Sequence, residues 1–239
     1  MPMARRLHIG ASKVHKWLSL IIGVQLLLWF ASGALMSFLP IEKVRGEHII
    51  DRDRVEAIPA SLPLIAPDRL VAKSQGPVES MTWRMLDGKP VAEVTTSKGL
   101  TLFDAATGTV LAPVDAVLAT RIAQNAWKTP AMPVERALRV TRESPEYRAA
   151  LPAWRVEFKD PDQTSVFVAA ESGRITAVRT GTWRLYDFFW SLHIMDWKNH
   201  EDFNTPWLLA FAVSGLVLGI AGTILLFMRW PFRRRRRAT

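Results

Sequence analysis

The chain has 239 residues, a formal net charge of +9 and no cysteine. The absence of cysteine excludes disulfide frameworks, thiolate zinc sites, iron–sulfur clusters, cysteine nucleophiles and covalently attached c-type haem. Imidazole, carboxylate and hydroxyl groups must therefore carry any chemistry.

The surplus of positive charge lies at the two ends of the chain. Residues 1–16 and 229–239 together carry ten Lys and Arg and no acidic residue. The long middle is close to neutral, so the sequence indicates no basic groove for phosphates, and we expect no nucleic-acid partner.

Each basic end adjoins an apolar segment, residues 17–39 and residues 206–228. About 20 helical residues cross a bilayer, so both segments are predicted transmembrane helices. The positive-inside rule then places residues 1–16 and the tail 229–239 in the cytoplasm of a bacterium and the middle in the periplasm. The tail is expected to meet anionic membrane lipid.

The first apolar segment has a second interpretation as a cleaved signal peptide. Its basic start and the small residues Ser32, Gly33 and Ala34 are typical of such a leader. The apolar stretch continues past them to Leu39, which is longer than an ordinary leader and favours an anchor.

Between the predicted spans the pattern changes to short alternating runs punctuated by turn residues, which is typical of antiparallel sheet. Asp87-Gly88 predicts a hairpin turn. Two helices are predicted, over residues 67–74 and 115–127. The predicted strands are residues 78–86, 90–96, 100–104, 109–111, 154–158, 165–169 and 174–180.

Residues 103–110 and 168–175 share a strand, small-residue turn, glycine, strand plan. This similarity predicts two copies of one unit, residues 40–114 and 115–182. Phe103-Asp-Ala-Ala-Thr-Gly108-Thr-Val110 and Leu151-Pro-Ala-Trp-Arg-Val156 resemble the PepSY module. The predicted fold is thus an α+β membrane protein, in which two transmembrane α-helices flank a periplasmic domain of two PepSY-like helix-plus-antiparallel-sheet repeats.

Histidines beside the predicted spans extend this resemblance. Leu7-His8, His15-Lys-Trp17 and Leu192-His193 are similar to the PepSY-associated transmembrane proteins. Larger members of that family resemble siderophore-iron reductases with four or more spans and two b-type haems, whereas two spans are predicted here. The resemblance implies haem b, with His15, His193 and His8 as candidate ligands, and a ferric siderophore or iron as electron acceptor.

His193 lies in the segment of residues 183–205, which is predicted to begin with an amphipathic helix. Tyr186, Phe189, Trp190 and Trp197 are spaced to share its helical face. Such a face suits the wall of a porphyrin pocket, but an aromatic belt at the membrane interface has the same composition. His15 and His8, similarly, are either ligands or interfacial residues that meet lipid headgroups.

His15 and His193 fall at opposite ends of the membrane-embedded region, too far apart to ligate one iron. We therefore expect a homodimer in which each histidine meets its symmetry mate, or a subunit of a larger membrane complex. Gly215, Gly219 and Gly222 give the second span small-residue faces that support close packing.

Two further histidines, His48 and His200, follow the first span and precede the second. With neighbouring carboxylates they are candidate ligands of a hard metal, and the alternative is a solvated polar loop.

The sequence contains no nucleotide, flavin, P-loop or zinc-protease motif, so electrons must enter from another protein, a cytoplasmic flavoprotein reductase. The expected function is electron transfer across the inner membrane to a ferric acceptor, a ferric-reductase type of activity. The alternatives are a membrane-anchored PepSY binding or regulatory module and an accessory subunit of a larger complex.

Overall fold

The structure is a computed structural model that describes residues 2–130 and 132–228 of the chain. Side chains are described for residues 16–130, 132–220 and 223. The chain divides into two compact units, one of residues 1–38 and 187–239 and the other of residues 39–186.

The first unit is built on two long helices, α1 (Pro2–Phe38) and α6 (Pro206–Met228). Within α1, the segment Lys16–Phe38 is long and apolar enough to cross a membrane, and it is the one such segment among the described residues. In α6 the described apolar part, Pro206–Ile220, is shorter. The first predicted span therefore corresponds to a suitable helix, and the second crossing stays a prediction.

Helices α1 and α6 pack against each other in the first unit. At Gly215 an added Cβ would lie 3.7 Å from Cδ2 of Leu26, so this glycine faces α1 of the same chain. At Gly219 no heavy atom would lie within 4 Å of such a Cβ. Of the three glycines predicted to support helix packing, Gly215 therefore supports packing within the chain, and Gly222 lies outside the residues whose side chains are described.

Helix α5 (Gly181–Ile194) begins in the second unit and ends in the first. It stops because Met195 has φ +55° and Asp196 then accepts hydrogen bonds from the backbone amides of the following loop. Trp197 lies beyond the helix and is exposed, so the predicted helical face that joined it to His193 is wrong at this residue.

The second unit starts with two short helices and a three-stranded antiparallel sheet of order β1-β2-β3. Asp87 and Gly88 have φ of 50° and 76° and close the first hairpin, as predicted. Leu70 of the helix Pro67–Lys73 packs against Val94 and Phe103, so this helix covers one face of the sheet. The elements are α2 (Ile41–Val44), α3 (Pro67–Lys73), β1 (Val78–Leu86), β2 (Lys89–Thr96) and β3 (Gly99–Asp104).

The rest of the second unit is a helix followed by a four-stranded antiparallel sheet of order β4-β5-β6-β7. Asp115 caps the helix by accepting from the amide of Leu118 at 2.7 Å. Ala119 and Ala123 then bury one helical face against Val156 and Val166 of the sheet. The elements are α4 (Ala116–Asn125), β4 (Val134–Val140), β5 (Ala153–Phe158), β6 (Ser165–Ala169) and β7 (Ile175–Arg179).

The prediction of mixed helix and antiparallel sheet is confirmed, with two local corrections. Residues 109–111 form no strand, because only Val110 makes an isolated bridge, to Phe103. Strand β4 was not predicted, since Glu135, Arg136 and Arg139 interrupt its apolar alternation at the sheet edge. That the two helix-and-sheet halves are copies of one unit stays a prediction.

Candidate functional site

Of the three candidate haem ligands, His193 is the one whose side-chain surroundings the structure describes. Its ring nitrogen Nδ1 lies 3.0 Å from the hydroxyl oxygen of Ser32 in α1. Ser32 is buried, with 2% of its surface exposed, although it is polar. Its hydroxyl also lies 2.8 Å from the carbonyl oxygen of Leu28, one helical turn earlier, to which it donates. The other ring nitrogen of His193, Nε2, has no hydrogen-bond partner among the described residues.

Two more α1 residues, Trp29 and Gly33, border this imidazole. The rings of Trp29 and His193 have centroids 6.4 Å apart. A Cβ at Gly33 would lie 3.4 Å from Cε1 of His193, so this glycine faces the ring. Positions 29, 32 and 33 are spaced to lie on one helical face, and that face receives His193.

The indole nitrogen of Trp29 is buried without a hydrogen-bond partner among the described residues. A buried donor without an acceptor typically costs about 1–3 kcal/mol. This group is therefore a free donor beside His193, suited to an acceptor on a bound molecule.

The position of this site along α1 follows from Ser32. Ser32 precedes Phe38, the end of the candidate span, by about 9 Å of helix. His193 therefore contacts α1 within its apolar segment, inward of the end of that segment.

The predicted aromatic partners of His193 are divided among other contacts. Trp190 donates its indole N–H to the carbonyl oxygen of His200 at 3.1 Å and packs edge-on against Phe203. Phe189 packs edge-on against Phe188. The aromatic residue recorded in ring contact with His193, Trp29, comes from α1, which spacing within one helix did not reveal.

His200 makes its side-chain contact with the carboxylate of Asp187. Its Nδ1 lies 2.6 Å from a carboxylate oxygen of Asp187. The loop around it is held by Asp196, whose pKa is lowered below its ordinary range by hydrogen bonds from the backbone amides of Asp202, Glu201 and Asn199. This loop therefore has a structural explanation independent of metal binding.

The other predicted site residues are not joined to these. His48 is exposed in a turn of the second unit. Among residues 2–130 and 132–228 no group of three or more His, Asp or Glu side chains is arranged to hold a metal ion. The metal site at His48 and His200 thus gains no support and stays a prediction. The side chains of His8 and His15 lie outside the described ones, although both residues belong to α1.

The second unit carries an open cleft of about 480 Å³. Its lining includes Arg54, Arg84, Asp87 and Arg174. These charged groups already have partners within the unit: Arg84 and Arg174 bind Glu93, Asp87 binds Arg121, and Arg54 donates to a backbone carbonyl.

The hydrogen bond described for His193 joins its Nδ1 to a serine hydroxyl and not to a carboxylate. An imidazole whose other ring nitrogen has no described partner can offer that nitrogen to a metal centre.

Comparison with known proteins gives one family. A family model described as the PepSY-associated TM region matches residues 12–239. No curated protein and no solved structure matches the chain. The resemblance found in the sequence is confirmed: the chain belongs to the PepSY-associated transmembrane family.

Proposed function

We propose that the chain is a b-type cytochrome subunit of the bacterial inner membrane that carries electrons from the cytoplasmic side to a ferric acceptor in the periplasm. One observation carries the proposal: the His193 imidazole is held through Nδ1 by a buried serine while Nε2 is free of partners among the described residues. A histidine that would hold a haem iron is oriented in this way, by a hydrogen bond to the ring nitrogen that does not bind the metal.

The neighbours of His193 support the proposal. The ring contacts the apolar segment of α1, which would shield a porphyrin from water. The unpartnered indole N–H of Trp29 suits an acceptor such as a carboxylate of the group. Bound there, haem b supplies a one-electron carrier. The chain itself contributes the ligand nitrogen, the donor and the apolar walls.

The second axial ligand must come from elsewhere. His15 precedes Ser32 by roughly five turns of the same helix, or about 26 Å, whereas two ligands of one iron lie about 4 Å apart. His15 and His193 of one chain therefore serve different haems. We propose a homodimer, with His15 or His8 near the cytoplasm and His193 near the periplasm, or an equivalent pairing in a larger complex.

The proposed topology follows the charges. Lys and Arg outside both apolar segments place the termini in the cytoplasm and residues 40–205 in the periplasm. One electron enters from a cytoplasmic flavoprotein and leaves to one ferric ion, which becomes ferrous. Hard oxygen ligands hold ferrous iron less tightly, so a ferric siderophore would release its metal. The helix-and-sheet halves, residues 40–114 and 115–182, would dock the acceptor or hold the helices.

A second candidate is a client-binding or regulatory module, or an accessory subunit of a membrane complex. The open cleft of the second unit favours it. In that case His193 would be a packing residue, and the purified chain would carry no haem.

The haem content of the full chain, purified in detergent from cells supplied with haem, separates the two. Pyridine haemochrome analysis is expected to give about one haem per chain. His193→Ala should lose at least half of it, and His48→Ala, at an exposed turn residue, should lose none. Wild-type haem content in His193→Ala would contradict the proposal. A monomeric mass at full haem content would refute the dimer.

A further inference from the structure

Ser32 is a buried polar residue in the apolar segment of α1. It is 2% exposed, and its nearest polar partner outside α1 is the imidazole of His193. A small hydroxyl in a membrane helix usually satisfies itself on the preceding turn, and Ser32 does so through Leu28. Its contact with His193 is therefore additional to its own needs.

The direction in which the Ser32 hydroxyl points its single proton determines which ring nitrogen of His193 carries a hydrogen. Two carbonyl oxygens of α1 lie within reach of that proton, those of Leu28 at 2.8 Å and Trp29 at 3.1 Å. When the proton goes to one of these carbonyls, the serine oxygen turns its lone pairs to His193. In that arrangement Nδ1 carries the ring hydrogen and Nε2 keeps its lone pair.

We propose that Ser32 is the positioning residue that fixes His193 as the Nδ1–H tautomer and so presents Nε2 as the metal-binding nitrogen. This inference rests on the proposed function. Outer hydrogen bonds of this kind orient a ligating histidine, increase its basicity and contribute about 10- to 100-fold to metal affinity.

Ser37 provides a matched control on the same helix. Its hydroxyl also donates to the carbonyl one turn earlier, that of Gly33, at 2.8 Å. It is exposed and makes no described contact with His193. Ser37→Ala therefore removes a helix serine of the same kind whose described contact is with the backbone of Gly33 and not with the imidazole.

The test is a titration of the full chain, haem-free and in detergent, with haemin, followed by the Soret absorption. Ser32→Ala is expected to weaken binding about tenfold, and Ser37→Ala should match wild type. Ser32→Thr keeps a hydroxyl and is expected to stay within about twofold of wild type.

The reduction potential of the bound haem is a second measurement, and a purely structural role of Ser32 would not change it. A less basic imidazole stabilises ferric iron less, so the potential of Ser32→Ala should rise. A tenfold loss confined to the ferric form corresponds to about 59 mV for one electron.

Equal affinities and potentials in Ser32→Ala and Ser37→Ala would overturn the role of Ser32 while leaving a His193-dependent haem intact. A wild-type chain that takes up no haemin would instead overturn the proposed function, and this inference with it.

Discussion

Glu93 is the buried charge whose loss should weaken the second unit most measurably. It lies on β2 with 5% of its surface exposed. Its carboxylate accepts from Nε of Arg84 at 2.7 Å and from Arg174 at 2.5–3.1 Å. Arg84 belongs to β1 and Arg174 to the turn before β7, so one carboxylate ties the two sheets together. Arg84 also donates to the backbone carbonyl of Ser172.

The expected cost of Glu93→Ala follows from the exposure of its partners. Removing one member of a fully buried ion pair typically costs about 3–5 kcal/mol. The Arg174 side chain is 52% exposed and regains water, whereas the Arg84 side chain is 19% exposed and does not. We therefore expect a loss of about 2–3 kcal/mol, which lowers the melting temperature of a unit of this size by roughly 5–10 °C.

Scanning fluorimetry of the full chain in detergent measures this shift. Glu79→Ala is the matched control, because Glu79 lies exposed on β1 and makes no ion pair in the described structure. A melting temperature for Glu93→Ala within about 1 °C of that control would refute the role of the carboxylate as a tie between the sheets.

The difference in stability between wild type and Glu93→Ala should disappear at acid pH. Burial by itself raises the pKa of Glu93, but the hydrogen bonds from Arg174 and Arg84 outweigh it and hold the pKa below its ordinary value of 4.5. The stabilisation is therefore present above the unfolded pKa and lost as the pH falls through the folded one. The difference in stability between wild type and Glu93→Ala should become smaller as the pH falls through the folded pKa of Glu93. A difference that grows there would contradict a lowered pKa.

Three further predictions concern other parts of the chain. Tyr147 is fully buried and its hydroxyl donates to a backbone carbonyl at 2.7 Å, so Tyr147→Phe should cost about 1 kcal/mol in thermal unfolding. Burial raises its pKa, so the ultraviolet difference between wild type and this variant should develop at higher pH than for a solvated phenol. Gly46 and Gly88 both have positive φ, but an added Cβ meets a buried valine at 2.6 Å only at Gly46. Gly46→Ala should therefore destabilise the chain by about 1–3 kcal/mol more than Gly88→Ala, and equal melting temperatures would contradict the packing. Asp196→Ala removes the acceptor of the amides of residues 198, 199, 201 and 202, so hydrogen exchange of these four amides should accelerate about tenfold. Asp202→Ala removes the acceptor of the Asn204 amide and should leave the exchange of those four close to wild type.

The strands that could be predicted from the sequence are those with local signals. Asp87-Gly88 favours a tight turn by its own conformational preference, and the structure has the hairpin there. Strand β4 lacks such a signal, because Glu135, Arg136 and Arg139 belong to an edge that leaves its side chains in water. Its pairing with β5 is a property of the assembled sheet.

The candidate site was only half predictable for a similar reason. His193 is a recognisable residue type beside a predicted span, whereas Ser32 looked like part of a leader cleavage region. The contact between them joins positions 161 residues apart, which no spacing rule connects. Trp197 was wrongly placed on the helical face because the amide-binding carboxylate of Asp196 ends α5 first.

The most direct test of the central proposal is a dithionite-reduced minus oxidised absorption spectrum of the purified full chain. Cells should be supplied with ample haem, and His193→Ala, His15→Ala and the control His48→Ala should be measured beside wild type. We predict sharp α and β bands in wild type and His48→Ala, reduced in each of the other two variants and absent when both changes are combined. A flat spectrum from wild-type protein would contradict electron transfer by this chain and favour a periplasmic binding module.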